Sequence, residues 1–236
     1  MSPSTTRHPL FFPGMSVLLA AIVYYGFAPT YYRRPIDLPG IPVYLHAHGA
    51  AMTAWFTLLI VQTVLVATGR RGAHRRLGTL GAALGAAIAV LTPPVVIWFI
   101  PTLRASGAPI PIVTLIILGD LVAVAVFAVM LGAAIHYRRQ PETHARLLLL
   151  ASVPLVAPAL GRASIAATGT PLAGLLIQMS LPLLLVAHDL WMMRRVHRAT
   201  GWGTLAVVGS MLSSIAVANT GAGQAFVRAL DGILPR

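Results

Sequence analysis

Residues 110–137 read IPIVTLIILGDLVAVAVFAVMLGAAIHY, and Asp120 is the only formal charge in the run. A helix needs about 20 mostly apolar residues to cross a bilayer, and this run exceeds that length. Six more segments pass the same test: 13–32, 42–69, 77–103, 145–167, 171–193 and 201–219. The 236 residues are therefore expected to form one all-α domain, a polytopic bundle of seven transmembrane helices. Composition agrees. Apolar residues make up 57% of the chain and charged residues 9%, whereas soluble domains carry roughly 25% charged residues. A soluble globular fold and a disordered chain are both excluded. The first segment follows Arg7 in the manner of a leader peptide, but Pro29 directly follows the best small-residue site at Ala28. It reads as a retained span. Residues 221–236 read as an interfacial helix with Phe226, Val227, Leu230 and Ile233 on its apolar face.

Two residue types are missing. Without cysteine there are no disulfides, thiolate haem ligands, covalent c-type haem, iron–sulfur clusters or Cys-based zinc sites. Without lysine there is neither a retinal Schiff base nor a P-loop. The net charge of +12 comes from arginines in short connections between apolar runs, so it signals topology and lipid phosphate, not nucleic acid. Eleven of the 17 arginines fall on one side: Arg7, Arg70, Arg71, Arg75, Arg76, Arg138, Arg139, Arg146, Arg194, Arg195 and Arg198. Arg33, Arg34, Arg104, Arg228 and Arg236 fall on the other, and Arg162 lies within a span. The positive-inside rule then predicts a cytoplasmic N-terminus and a periplasmic C-terminus.

Prolines interrupt several spans: Pro93 and Pro94 in the third, Pro154 and Pro158 in the fifth, Pro182 in the sixth. Each frees a carbonyl that neighbours or water must satisfy. Gly81 and Gly85 form a small-xxx-small pair suited to close helix contact.

Polar residues inside a bilayer face protein or water. His48, Trp55 and Gln62 are seven apart, so with Met52 and Leu59 they form one stripe pointing into the bundle. His46 lies two residues from His48 and faces elsewhere. Three spans open with a histidine near an arginine: His74-Arg75-Arg76, His144-Ala145-Arg146 and His197-Arg198. His136 and His188 fall at similar depth, so five histidines crowd the arginine-rich side. Imidazole is the commonest nitrogen ligand for iron, copper and zinc. The adjacent Arg75 and Arg146 have the bidentate donors that haem propionates need. Asp120 and Arg162 fall in the other half of the membrane, where a buried pair is geometrically allowed. Asp189 is placed to anchor Arg194 or Arg195, or to orient a neighbouring imidazole. Gln62, Gln178 and Asn219 can bond across helices.

The run from His46 through Trp55, Gln62 and His74-Arg75-Arg76-Leu77-Gly78 resembles a family of uncharacterised, histidine-rich, seven-helix proteins of the bacterial inner membrane. His144-Ala145-Arg146-Leu147 and Asp189 through Arg195-Val196-His197 extend that resemblance. More distantly, the histidine-opened helices are similar to transmembrane di-haem cytochromes b and small oxidase-assembly proteins. In the di-haem proteins four histidines hold one haem near each membrane face. By that resemblance His74 and His144 make a cytoplasmic-side pair, while His46 or His48 has no histidine partner opposite. Seven-helix zinc hydrolases are not matched, because their His-x-x-x-His on the last helix is absent.

The expected function is redox-cofactor binding for electron transfer or respiratory-oxidase support, with one haem b held by His74 and His144 and contacted by Arg75 and Arg146. A histidine-bound copper, iron or zinc ion drawing on His48, His74, His144 and His188 is the cofactor alternative. The rival is a cofactor-free transporter or interaction subunit using Asp120 and Arg162. A third class, an enzyme acting on lipid or quinone, has only His188 and Asp189 as candidates. Expected partners are the bilayer, other respiratory subunits or a second copy of the chain.

Overall fold

A computed structural model describes residues 10–33 and 43–234. Arg7, Arg34 and Arg236, used above for orientation, lie outside the described residues, as does position 42. Among the described residues the chain is helical with short turns and contains no strand. Helix α1 (Phe11–Phe27) continues into a π-helical turn over Ala28–Tyr32. It is followed by α2 (Val43–Ala67), α3 (Arg71–Trp98) and the short α4 (Ile100–Ala105). Next come α5 (Ile110–His136), α6 (Pro141–Ser152), a 3-10 turn over Pro154–Val156, and α7 (Ala157–Thr168). The chain ends with α8 (Leu172–Met193), α9 (Arg198–Ala218) and α10 (Gly221–Ile233). Among the described residues seven helical stretches are long and apolar enough to span a membrane, α1 with the π-helical turn, α3 with α4 and α6 with α7 counting as one each. The described residues thus have the make-up of a multi-pass helical membrane protein.

Three helices begin earlier than hydropathy places them. The third span starts at Arg71, the fifth at Pro141 and the seventh at Arg198. Their first turns are polar, so a hydropathy window misses them, although Pro141 at the first helical position is a helix-start signal. His74 and His144 thereby lie inside helices, each three residues from the start, about 4.5 Å along the axis. That shared depth brings them level.

The core lies between α1, α2, α3, α5 and the broken fifth span, with Leu19, Phe56, Ile88, Phe127, Leu150 and Val156 fully enclosed. α1 packs on α2 and α7, α2 on α3, α3 on α5, and α5 on α6 and the 3-10 turn. α9 covers the outside of α5 and α6, and α8 covers α7 and α9. Small residues permit the tightest crossings. A Cβ on Gly26 would sit 2.3 Å from the Ala159 carbonyl oxygen, and one on Gly174 would sit 2.6 Å from that of Leu160. On Gly85 it would meet the side chains of Leu131 and Trp55, as the Gly81–Gly85 spacing implied.

The proline effects differ by site. α3 runs unbroken through Pro93 and Pro94, and α8 through Pro182. Pro154 divides the fifth span, and Gln178 of α8 answers the break. Its side-chain nitrogen donates to the carbonyls of Val153 and Pro154, both at 3.4 Å. α10 packs on α5 and α9 through Gly223 and Val227. Only Val227 of the four apolar positions expected to share a face is fully buried, whereas Phe226 and Ile233 are exposed.

Candidate functional site

The α2 stripe points inward, and its polar groups meet different surroundings at each level. Nearest the arginine-rich end, Gln62 reaches the first turn of α3. With its amide nitrogen toward α3, Gln62 donates to His74 Nδ1 at 2.7 Å and to the His74 carbonyl at 3.2 Å. Its oxygen then accepts from the Gly78 N–H at 2.9 Å. At mid-depth, Trp55 Nε1 donates to Ser152 Oγ at 3.2 Å, and the indole stands edge-on to Phe127 with ring centres 5.0 Å apart. Toward the far end, His48 Nδ1 is shut off from solvent and has no hydrogen-bond partner.

His74 and His144 come together across α5. Their ring centres are 6.3 Å apart and the rings are nearly perpendicular, at 77°. His144 Nδ1 lies 2.8 Å from the Ala134 carbonyl. A carbonyl accepts only, so His144 carries its proton on Nδ1 and presents a bare Nε2. His74 differs, because its Nδ1 accepts from Gln62 and its proton sits on Nε2. The two imidazoles are thus complementary, one presenting N–H and the other a lone pair. Both are half-buried. The Ala134 partner has no side-chain signature, which is why sequence reasoning missed it.

The other expected ligands are not gathered with this pair. Among the described residues no three His, Asp or Glu side chains stand close enough to hold a metal ion. The set His48, His74, His144 and His188 therefore does not form one centre. His188 has the right depth but the wrong direction: its ring stacks on Phe11 at 3.8 Å, and Nδ1 is 3.7 Å from Asp189 Oδ1. His46 lies beside the Tyr31 ring, away from the stripe, as its two-residue offset requires.

The arginines separate in the same way. Arg75 is exposed beside His74. Arg146 is 2% exposed and fully engaged. Its Nη2 donates to Asp189 Oδ1 at 2.8 Å and its Nε to the same oxygen at 3.1 Å, while Nη1 pairs with the Glu142 carboxylate. Asp189 therefore anchors Arg146, not Arg194 or Arg195. The reason is local. Arg194 adopts a left-handed conformation with φ 54° that ends α8 and turns the following residues away. Asp189 also accepts from the His197 N–H at 3.0 Å and from Thr200 Oγ1 at 2.5 Å, tying α8, α6 and α9 together.

His197 caps α9, its Nδ1 accepting from the Ala199 N–H at 3.1 Å. Burial, with the Arg146 charge next in size, lowers its pKa from the ordinary 6.5. The cap requires the neutral ring, so this stability is present above about pH 6.5 and is lost as pH falls through the depressed value. Unfolding in detergent at pH 7.5 and pH 5 should show the wild type weakening at the lower pH. In His197→Ser, whose hydroxyl caps without titrating, the decline should be smaller. An equal decline in both proteins would assign the pH response to another group.

In the far half, Arg162 is held between aromatic faces, its guanidinium carbon 4.8 Å from the Phe27 ring centre and 5.6 Å from that of Phe99. Asp120 interacts with it electrostatically. Among the described residues, however, their nitrogen and oxygen atoms do not come within 4.0 Å. They share a layer without forming a contact ion pair. No protein-family model, curated protein or solved structure matches the chain.

Proposed function

We propose that this is a redox-cofactor protein of the bacterial inner membrane, holding one b-type haem between His74 and His144 for electron transfer or in support of a respiratory oxidase. The observation that carries the reading is the facing pair of imidazoles, each with Nδ1 engaged by the protein, His144 with a bare Nε2 and His74 with its proton on Nε2. Ligating histidines are ordinarily oriented in this way through the other ring nitrogen. Two nitrogen–metal bonds of about 2 Å, with the two ring radii, amount to roughly 6 Å between ring centres, close to the 6.3 Å separation. The ligand count favours haem over a bare copper, iron or zinc ion. A porphyrin supplies four nitrogens and asks the protein for only one or two, whereas a bare ion would need a third and fourth side chain.

A haem bound there supplies a one-electron couple. The chain's own residues do the rest. The Ala134 carbonyl holds the His144 proton on Nδ1 and keeps Nε2 bare. Turning the Gln62 amide end for end would offer His74 Nδ1 an acceptor and move that ring's proton off Nε2, at the cost of the Gln62 bonds to the His74 carbonyl and the Gly78 N–H. Arg75, exposed beside His74, is free to meet a propionate, while Arg146 is committed to Asp189. By the positive-inside rule the arginine-rich end faces the cytoplasm. Other respiratory subunits or a second copy of the chain are the natural electron partners.

The test is the optical spectrum of protein purified in mild detergent after expression with a haem precursor, recorded before and after dithionite. A Soret band with sharp reduced-state bands at near one haem per chain is expected. Absence of haem absorption, after haemin titration as well, overturns the reading.

A further inference from the structure

A half-open cavity of about 980 Å³ lies at the end of the bundle remote from the histidine pair, between α4, the first turn of α5 and the last turns of α10. The sequence explains why α10 closes one side of it. Gly223 lets the helix fold back on α9, since a Cβ there would sit 2.3 Å from the Val217 carbonyl oxygen. Val227 then enters an apolar cluster with Val96, Ile100, Val113 and Ile117. Val113 belongs to that cluster and to the cavity wall alike, so the floor is apolar. Arg228 and Asp231 follow three residues apart, share a helix face, and both line the cavity. Phe226 and Ile233, on the same helix, are exposed and apolar. A helix of this make-up lies in the membrane interface with those side chains in lipid. Gly232 keeps the mouth clear, because nothing stands within 4 Å of where its Cβ would be.

The charges in the lining select the guest. Arg104 Nη1 is paired with the Asp231 carboxylate. Arg228 is exposed and, among the described residues, has no carboxylate within 4.0 Å. One positive charge is therefore unmatched. Arg104 also has donors to spare, since among the described residues only its Nη1 is engaged. Guanidinium groups fit phosphate oxygens, and Asp231 disfavours a second negative charge on the guest. The guest is thus a singly charged phosphodiester. A smaller recess of about 190 Å³ adjoins the cavity, bounded by Trp98 and Thr102 and sharing Pro101 and Leu234 with it. A water-soluble phosphate has no use for this apolar extension, whereas the upper part of an acyl chain fills it. Arginines at the interface meet lipid phosphates at this depth. We infer that the cavity binds the headgroup of an anionic phospholipid, its phosphodiester on Arg228 and Arg104 and one chain passing over Pro101 and Leu234 to Trp98.

Trp98 supplies a local readout. Of the other three tryptophans, Trp55 is buried in the core, while Trp191 and Trp202 lie toward the arginine-rich end and are replaced by Phe in the test protein. The full chain in mixed micelles is titrated with phosphatidylglycerol brominated on the upper part of one acyl chain, and separately with the matching phosphatidylcholine. Saturable quenching of Trp98 is expected at a lower mole fraction of phosphatidylglycerol than of phosphatidylcholine. Arg228→Gln should weaken that preference at least about tenfold, the loss of one hydrogen bond from a charged donor. Arg33→Gln, an exposed arginine at the same end outside the cavity, should leave it unchanged. Gly232→Leu keeps every charge but fills the mouth, so it should also abolish the preference. Equal quenching by the two lipids, or an unchanged preference in both Arg228→Gln and Gly232→Leu, would overturn the inference. Relief of quenching by soluble glycerol phosphate would assign the cavity to a free phosphate and overturn the lipid reading. The readout does not depend on haem, so a colourless protein that shows the preference would refute the histidine-pair reading and leave this one standing.

Discussion

Asp189→Ala is expected to destabilise the folded protein by about 3–5 kcal/mol, the usual cost of removing one partner from a buried ion pair. Asp189 has no exposed surface and Arg146 is 2% exposed. The variant therefore leaves a guanidinium charge enclosed with only Glu142 near it. It also strips acceptors from the His197 N–H and the Thr200 hydroxyl, at the point where α9 begins. Three helices lose their common fastening at once. Unfolding in mixed micelles, monitored by circular dichroism, measures the effect. Asp189→Leu combined with Arg146→Met should recover most of the loss, because exchanging a buried pair for apolar side chains is often neutral. A single variant within 1 kcal/mol of wild type, or a double variant worse than both singles, would show that the pair does not fasten these helices.

This fastening also marks how far the sequence could be read. The seven spans were legible because bilayer thickness imposes a length and composition on each of them. The inward stripe of His48, Trp55 and Gln62 was legible because a seven-residue spacing keeps to one helix face. Partners across helices were not. Asp189 has two arginines within six residues, yet binds one 43 positions away, because the left-handed turn at Arg194 swings the near ones off. His188 and His144 are indistinguishable in depth from the sequence. What separates them is rotation about the helix axis, which turns one ring onto Phe11 and the other toward His74. Rotation of that kind is set by packing, and a largely apolar helix such as α8, which bears His188, carries little one-sided pattern to reveal it.

His144→Ala should abolish haem binding outright, and His74→Ala should leave at most a weak five-coordinate complex. His144 is the stronger ligand because it needs no rearrangement. Its Nδ1 proton is already fixed on the Ala134 carbonyl, whereas His74 must exchange tautomers against Gln62. That asymmetry makes Gln62 the informative position. Gln62→Leu removes the group that orients His74 and should cost about 10–100-fold in affinity, as losing such outer partners of metal ligands does. Gln62→Glu presents an acceptor to His74 Nδ1 permanently and should restore binding. It should also lower the reduction potential, since a carboxylate makes the imidazole a more basic ligand. Haemin titration followed at the Soret band, with a potentiometric titration of each variant that binds, separates these outcomes. Identical affinity in Gln62→Leu and wild type would mean that His74 is not a ligand. Loss in Gln62→Leu without rescue in Gln62→Glu would mean that Gln62 serves only to pack α2 against α3.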